Sequence, residues 1–251
     1  MGGGMLEEQE KEKSTPKFKL WKRPPLRMQT TTLWDYPSQH YGLGMQGNKN
    51  YRGATPSYVI WNCLKRFTRE DDLVLDPMCG SGTTLDVCHD LKRRGIGFDI
   101  APVRDDIKPA DARHLPLKNE TVDFIFVDPP YSQHLTYSGH QNCIGELDAR
   151  TGAYYEAMEK VIVELFRVLK DRRYLALYVC DSFKKAKPFA PIGFELFSLL
   201  RKYFKPVDII CVTRRNRTLK RNHWHTSAIE GNYFLRGFNY LFVMKKTSTK
   251  V

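Results

Sequence analysis

Between residues 54 and 245, short apolar runs alternate with stretches whose apolar residues recur at three- to four-residue intervals. Leu73–Asp76, Ile96–Ile100, Val122–Val127, Tyr174–Cys180, Val207–Val212 and Tyr240–Met244 read as strands. Helices are expected from Thr55 to Phe67, Thr83 to Arg93 and Ile192 to Tyr203, with Gly95 as a stop signal after the second. Tyr154, Met158, Val161, Ile162, Leu165 and Leu169 fall on one face of a further helix. Strands and helices that alternate in this way make an α/β fold, a mostly parallel sheet covered on both faces. The last two strands have no clear helix between them, so an antiparallel final strand is expected.

Such sheets bind ligands at the carboxyl ends of their strands, and two motifs sit there. The first is Asp76-Pro77-Met78-Cys79-Gly80-Ser81-Gly82-Thr83-Thr84, which leaves a strand and enters a helix. Gly80 and Gly82 allow a tight turn and close approach of a ligand to the backbone. A third glycine and a Walker lysine are both missing, which argues against a triphosphate site. Asp99 ends the next strand, where a carboxylate accepts hydrogen bonds from both ribose hydroxyls. Ile100 follows it, and Asp111-Ala112 ends a further short strand, placed to flank an adenine ring. Thr55-Pro56 reads as a helix N-cap and first helical position.

The second motif is Asp128-Pro129-Pro130-Tyr131, directly after the apolar strand Val122–Val127. Two prolines cannot continue a central ladder, so they stiffen a loop with carbonyls free to accept. A carboxylate, proline carbonyls and an aromatic ring then meet at one edge. That set suits a planar base with an amino group: Asp128 and a proline carbonyl accept its two N–H bonds, and Tyr131 stacks on its face. The bland alternative is a rigid turn.

The first motif resembles the S-adenosylmethionine (SAM) motif of the amino-group DNA methyltransferases, the adenine-6-amino and cytosine-4-amino class. The second resembles their catalytic motif, and Thr55-Pro56 their N-terminal SAM-contacting segment. The order of the three is that of one known permutation of the family. The resemblance is strong over residues 54–131 and holds only in pattern over 154–245. It implies a seven-stranded Rossmann-like sheet, SAM as cofactor, a flipped-out target base and direct transfer without a covalent enzyme intermediate. Thr55, Pro56, Asp76, Met78, Cys79, Gly80, Gly82, Thr84, Asp99, Ile100, Asp111 and Ala112 are the implied cofactor residues. Asp128, Pro129, Pro130 and Tyr131 are the implied catalytic ones. Cytosine-carbon methylases need a Pro-Cys nucleophile, and no proline here precedes a cysteine. Some RNA amino-methylases share both motifs. Little chain is left for a target-recognition segment, which leaves structured RNA as an alternative to DNA. A SAM-binding, non-catalytic partner subunit is the second alternative, and the intact Asp-Pro-Pro-Tyr argues against it.

The charge balance points to the same substrate class. The chain carries a formal net charge of +12. Residues 182–225 hold eleven Lys/Arg against Glu195 and Asp208, so most of the excess sits in one stretch. A localised basic stretch suits a polyanion. Within it, Arg214, Arg215, Arg217, Lys220 and Arg221 with Trp224 mix phosphate-binding charge with a stacking ring, on an expected loop over 213–238. Residues 1–28 read as a flexible basic arm and 29–251 as one domain. The insertion 132–153, with His134, Tyr137 and His140, is expected to act as a lid over the base or to be a plain surface loop. The aromatic run Trp34–Gly42 is either a cover for SAM or simple core. Six scattered cysteines without a C-x-x-C pair disfavour disulfides and zinc, and no metal is expected. No apolar signal-peptide core is visible at the N-terminus, so a cytoplasmic location is expected.

Overall fold

The computed structural model describes residues 25–36, 38–48, 50–51, 53–131, 138–183, 187–214 and 217–248. The sheet is organised around β5 (Val122–Val127), in which every residue is buried. Its side chains alternate between two cores, as a strand's period of two requires. Ile125 and Val127 enter one core with Tyr154, Met158, Val161, Ile162 and Leu165 of α3 (Gly152–Val168) and Leu196 and Leu200 of α4 (Ile192–Leu200). Phe124 and Phe126 enter the other, with Val59, Ile60, Cys63 and Leu64 of α1 (Ser57–Phe67) and Val87 and Cys88 of α2 (Thr83–Asp90). Each fully buried side chain of this size stabilises the fold by roughly 1.5–3 kcal/mol.

Eight strands pair in the order β1-β7-β8-β6-β5-β2-β3-β4. The remaining strands are β1 (Leu33–Trp34), β2 (Leu73–Asp76), β3 (Arg94–Asp99), β4 (Ile107–Pro109), β6 (Leu169–Val179), β7 (Lys205–Thr213) and β8 (Phe238–Lys245). Every pairing is parallel except those of β8, which lies antiparallel between β6 and β7. The expected α/β class with an antiparallel last strand therefore holds. The two-residue edge strand β1 adds an eighth strand to the seven that the resemblance implies. The chain runs from β2 to β3 on one side and reaches β5 on the other. The crevice between the carboxyl ends of β2 and β5 is thus a topological switch point, the place where open α/β sheets bind ligands.

Two sequence expectations need correction, and a third, left open between two readings, is resolved. Gly95 stops no helix: α2 ends at Asp90, and Gly95 lies inside β3, where an added Cβ would press on Leu85. The stretch 213–238 is not simply a loop, because a short 3-10 turn (Arg217–Lys220) and a helix α5 (Asn222–Glu230) occupy it. Only Ala228 of α5 is buried, so there is almost no apolar stripe by which periodicity would reveal the helix. Trp34, Tyr36 and Tyr41 are core: they pack with Tyr58 of α1, Tyr36 stacking on it at 5.1 Å. No helix among the described residues is long and apolar enough to cross a membrane. All six cysteines are free.

Candidate active site

The Gly-rich turn between β2 and α2 is held from three sides. Asp76 is buried; its Oδ1 accepts from the Met78 N–H at 3.1 Å and its Oδ2 from the Thr84 hydroxyl at 2.5 Å. The Cys79 N–H donates to the Phe98 carbonyl of β3 at 2.8 Å. Arg104 reaches back to the Ser81 and Gly82 carbonyls and pairs with Asp86 of α2 at 2.9 Å. Gly80 and Gly82 have φ of 48° and 79°, left-handed conformations that side chains resist. A Cβ on Gly80 would also stand 2.8 Å from the Tyr51 hydroxyl.

Asp99 faces this turn. Its Oδ2 accepts from the Gly80 N–H at 2.8 Å and its Oδ1 from the Ala101 N–H at 3.0 Å. These bonds orient the carboxylate and leave lone pairs for the hydroxyls of a ribose. Asp99→Ala is therefore expected to weaken SAM affinity about tenfold or more by calorimetry, since a hydrogen bond to a charged group contributes about 1.5–3 kcal/mol. Affinity equal to the parent's would remove Asp99 from the cofactor site.

The cleft runs from Asp99, Asp111 and Ala112 at one end to Asp128, Pro129, Pro130 and Tyr131 at the other, with a volume of about 880 Å³. That is within the range of small-molecule sites. Thr55, Asp76, Met78, Cys79, Gly80, Thr84 and Ile100 line it too. Pro56 and Gly82 do not, although both were expected to contact cofactor. Gly82 is the N-cap of α2, turned toward Arg104. Pro56 caps α1, which begins at Ser57. Thr55 is accordingly no helix cap: its hydroxyl donates to Asp128 Oδ2. Asp111 lines the cleft but is also paired with Arg113 at 2.6 Å. Burial works against its charge, yet the Arg113 hydrogen bond holds its carboxyl below the usual range.

At the other end, burial pushes the Asp128 carboxyl up to about 8. The Thr55 hydroxyl opposes that rise, neighbouring Asp76 adds to it, and Arg214 draws it down. Asp76 is itself pushed up to about 7, by burial first and by Asp99 last, against its bonds from Thr84 and Met78. Pro130 is pinned, because its carbonyl accepts from the hydroxyl of fully buried Tyr154 at 3.0 Å. Tyr131 is partly buried against the core and lines the cleft.

Sequence reasoning missed several lining residues. Asn50, Tyr51, Gly53 and Ala54 come from the segment ahead of α1. That segment is tied down by α2: Asp86 accepts from the Gly47 N–H at 2.7 Å, and Asp90 from the Tyr41 hydroxyl at 2.8 Å. Burial, with Asp99, Asp128 and Asp76 nearby, raises the Tyr51 hydroxyl to about 12, so it is a neutral donor over the turn. Ser138, Asn142, Cys143 and Ile144 bring the described part of the insertion to the cleft. His134, Tyr137 and Arg215 lie outside the described residues, as does the side chain of Arg217.

The basic segment divides. Lys220 and Arg221 are exposed, and Trp224 is 41% exposed on α5. Arg214 turns inward instead, its Nη1 donating to the Cys180 thiol sulfur at 2.9 Å. Its charge also acts on Asp128, which places it near that end of the cleft without lining it.

Residues 5–107 match the DNA methylase family (N6_N4_Mtase). The match stops ahead of Asp128. The type II methyltransferase M.HpaI of Haemophilus parainfluenzae is 34% identical over 70 residues, 28% of this chain and 22% of that protein. M.MjaII of Methanocaldococcus jannaschii is 36% identical over 58 residues, 23% of this chain and 11% of that one. The chain thus spans a small part of the curated relatives it matches. Among solved structures, geranyl diphosphate C-methyltransferase from Streptomyces coelicolor A3(2) aligns with a TM-score of 0.50 at 11% identity, over 76% of each chain, which bears on fold alone. The fold is that of the Rossmann-like methyltransferases. Fold and matched family together support SAM as the cofactor. The residues present fit that cofactor: a glycine turn that an added Cβ would obstruct, and an oriented carboxylate at the next strand end.

Proposed function

We propose that this chain methylates an exocyclic amino group of adenine or cytosine in nucleic acid, with DNA as the substrate. One observation carries the reading. A half-buried carboxylate oriented by a hydroxyl, Asp128 with Thr55, closes the same cleft whose other end carries the glycine turn and Asp99.

SAM supplies an electrophilic methyl group; the amine nitrogen that takes it gains positive charge and then loses a proton. Asp128 and the Pro129 carbonyl hold the amine's two hydrogens, which aims the nitrogen lone pair along the cleft. The Asp128 carboxylate also stabilises the charge that develops on nitrogen, a preorganised electrostatic contribution. Tyr131 presents a ring for the base face. A base inside a duplex does not reach such a pocket and must be flipped out, at a cost of a few kcal/mol. DNA is favoured over RNA by the family matched.

The test is incubation of the protein with methyl-labelled SAM and, separately, DNA or RNA. Label in DNA is the expected result. Label in RNA alone would transfer the reading to RNA. Label in neither, from a protein that binds SAM, would reject it in favour of a non-catalytic subunit.

A further inference from the structure

A shelf of exposed aromatic rings stands at the edge of the sheet that carries Asp128. β6 runs beside β5 with Leu177 opposite Val127, and β8 runs beside β6 with Tyr240 opposite Val179. The segment leaving β6 and the segment entering β8 therefore rise from the catalytic edge. Two contacts lock them together. Phe183 stacks on Tyr233 with centroids 4.6 Å apart, and the Arg236 guanidinium lies over the Phe189 ring at 5.2 Å. Arg236 also donates from Nη2 to the Phe234 carbonyl at 2.8 Å, while its buried Nε has no partner. From the other flank, Arg150 Nε donates to the Pro188 carbonyl at 2.8 Å.

This scaffold leaves Phe189, Phe234 and Phe238 47%, 83% and 40% exposed. It is wired to the reacting end of the cleft. The Arg214 N–H donates to the Gly237 carbonyl at 2.8 Å, its guanidinium to Cys180, and the Cys180 thiol to the Phe238 carbonyl at 3.5 Å. The flank is basic: the Arg236 guanidinium faces one ring, and Lys187, which pairs with Asp148 at 3.9 Å, stands two residues before Phe189.

Large apolar rings left in water are costly unless something covers them. A second protein surface would cover them equally well, but the basic flank selects a polyanion. Aromatic and guanidinium planes together are the platform on which unpaired bases stack. A flipped target also leaves its neighbour exposed at the pocket mouth. We infer that the Phe189–Arg236–Phe234 shelf stacks the unpaired nucleotide next to the target base. The inference rests on the amino-methyltransfer reading and adds the surface that grips the substrate strand.

The test is titration of the full chain with short single strands that carry the fluorescent base 2-aminopurine, reading both affinity and quenching. Phe234→Ala and Phe189→Ala are expected to weaken binding by about five- to a hundredfold, the range for loss of one stacked base, and to relieve quenching. Phe234→Leu keeps apolar area without a stacking face and is expected to fail like the alanine variant. Phe234→Trp is expected to bind as the parent does. SAM affinity, measured on the same samples, should match the parent's in all four and certifies the fold. Parent-like binding and quenching by the alanine variants, or by Phe234→Leu, overturns the stacking shelf while parental methyl transfer leaves the active-site reading intact. A parent protein that neither binds strands nor methylates them overturns both.

Discussion

Asp128→Ala is expected to bind SAM nearly as the parent does while single-turnover methyl transfer falls about a hundred- to a thousandfold. That is the usual consequence of removing one preorganised polar group, about 2.7–4 kcal/mol of barrier. The division follows from position. The glycine turn, Asp76 and Asp99 form a hydrogen-bonded unit at one end of the cleft, and Asp128 is held at the other by Thr55. Asp128→Asn keeps the shape and an acceptor oxygen but loses the charge, and should fall between parent and alanine variant. Thr55→Val removes the hydroxyl that orients the carboxylate; a smaller loss of transfer, restored by Thr55→Ser, is expected. Transfer by Asp128→Ala at close to the parental rate would reduce Asp-Pro-Pro-Tyr to a structural turn.

The second large effect is on pH dependence. A carboxyl at about 8 when folded and about 3.9 when unfolded is protonated in the native state over an interval where the unfolded chain has released its proton. Its contribution to stability is therefore fully present below about pH 4 and is lost as pH rises through about 8. At about 1.4 kcal/mol per pH unit, the loss is a few kcal/mol, reduced by water that enters the cleft at the exposed side of Asp128. Asp128→Asn removes this loss, so its denaturation midpoint should exceed the parent's at pH 8.5 and approach it at pH 5. Asp76, at about 7, adds a slope of the same sign in both proteins. The ionised carboxylate is the form that stabilises charge on the amine, so kcat/KM of the parent should climb as pH rises toward 8, since that ratio reports the free enzyme's groups. A kcat/KM flat from pH 6 to 9, with identical stability slopes for parent and Asp128→Asn, would contradict a perturbed Asp128.

What the sequence revealed, and what it hid, follows from the range of the interactions involved. Val122–Val127 carries apolar side chains on both faces, with Asp123 the one exception, so a buried strand is legible there from the sequence. The Gly80–Gly82 turn and Asp99 were legible because strand ends and glycines mark them locally. Thr55 resembles a cap in the sequence because a proline follows it. Its true partner, Asp128, lies 73 residues on. Tyr154 was correctly placed in the core by its helical spacing, but nothing in that spacing shows its hydroxyl reaching the Pro130 carbonyl. Arg214 looked like one basic residue among several; only the pairing of β7 with β8 and β6 with β8 brings it to Cys180. Tyr51 is placed by acids of α2 acting on Gly47 and Tyr41, contacts that no local pattern encodes.

The central claim is that the methyl group goes to an exocyclic nitrogen. Nucleic acid methylated by the protein with isotopically labelled SAM, digested to nucleosides and resolved by mass spectrometry, tests it most directly. Label confined to the 6-amino group of adenine or the 4-amino group of cytosine is the expected result. Label on a ring carbon or a ribose oxygen would contradict it.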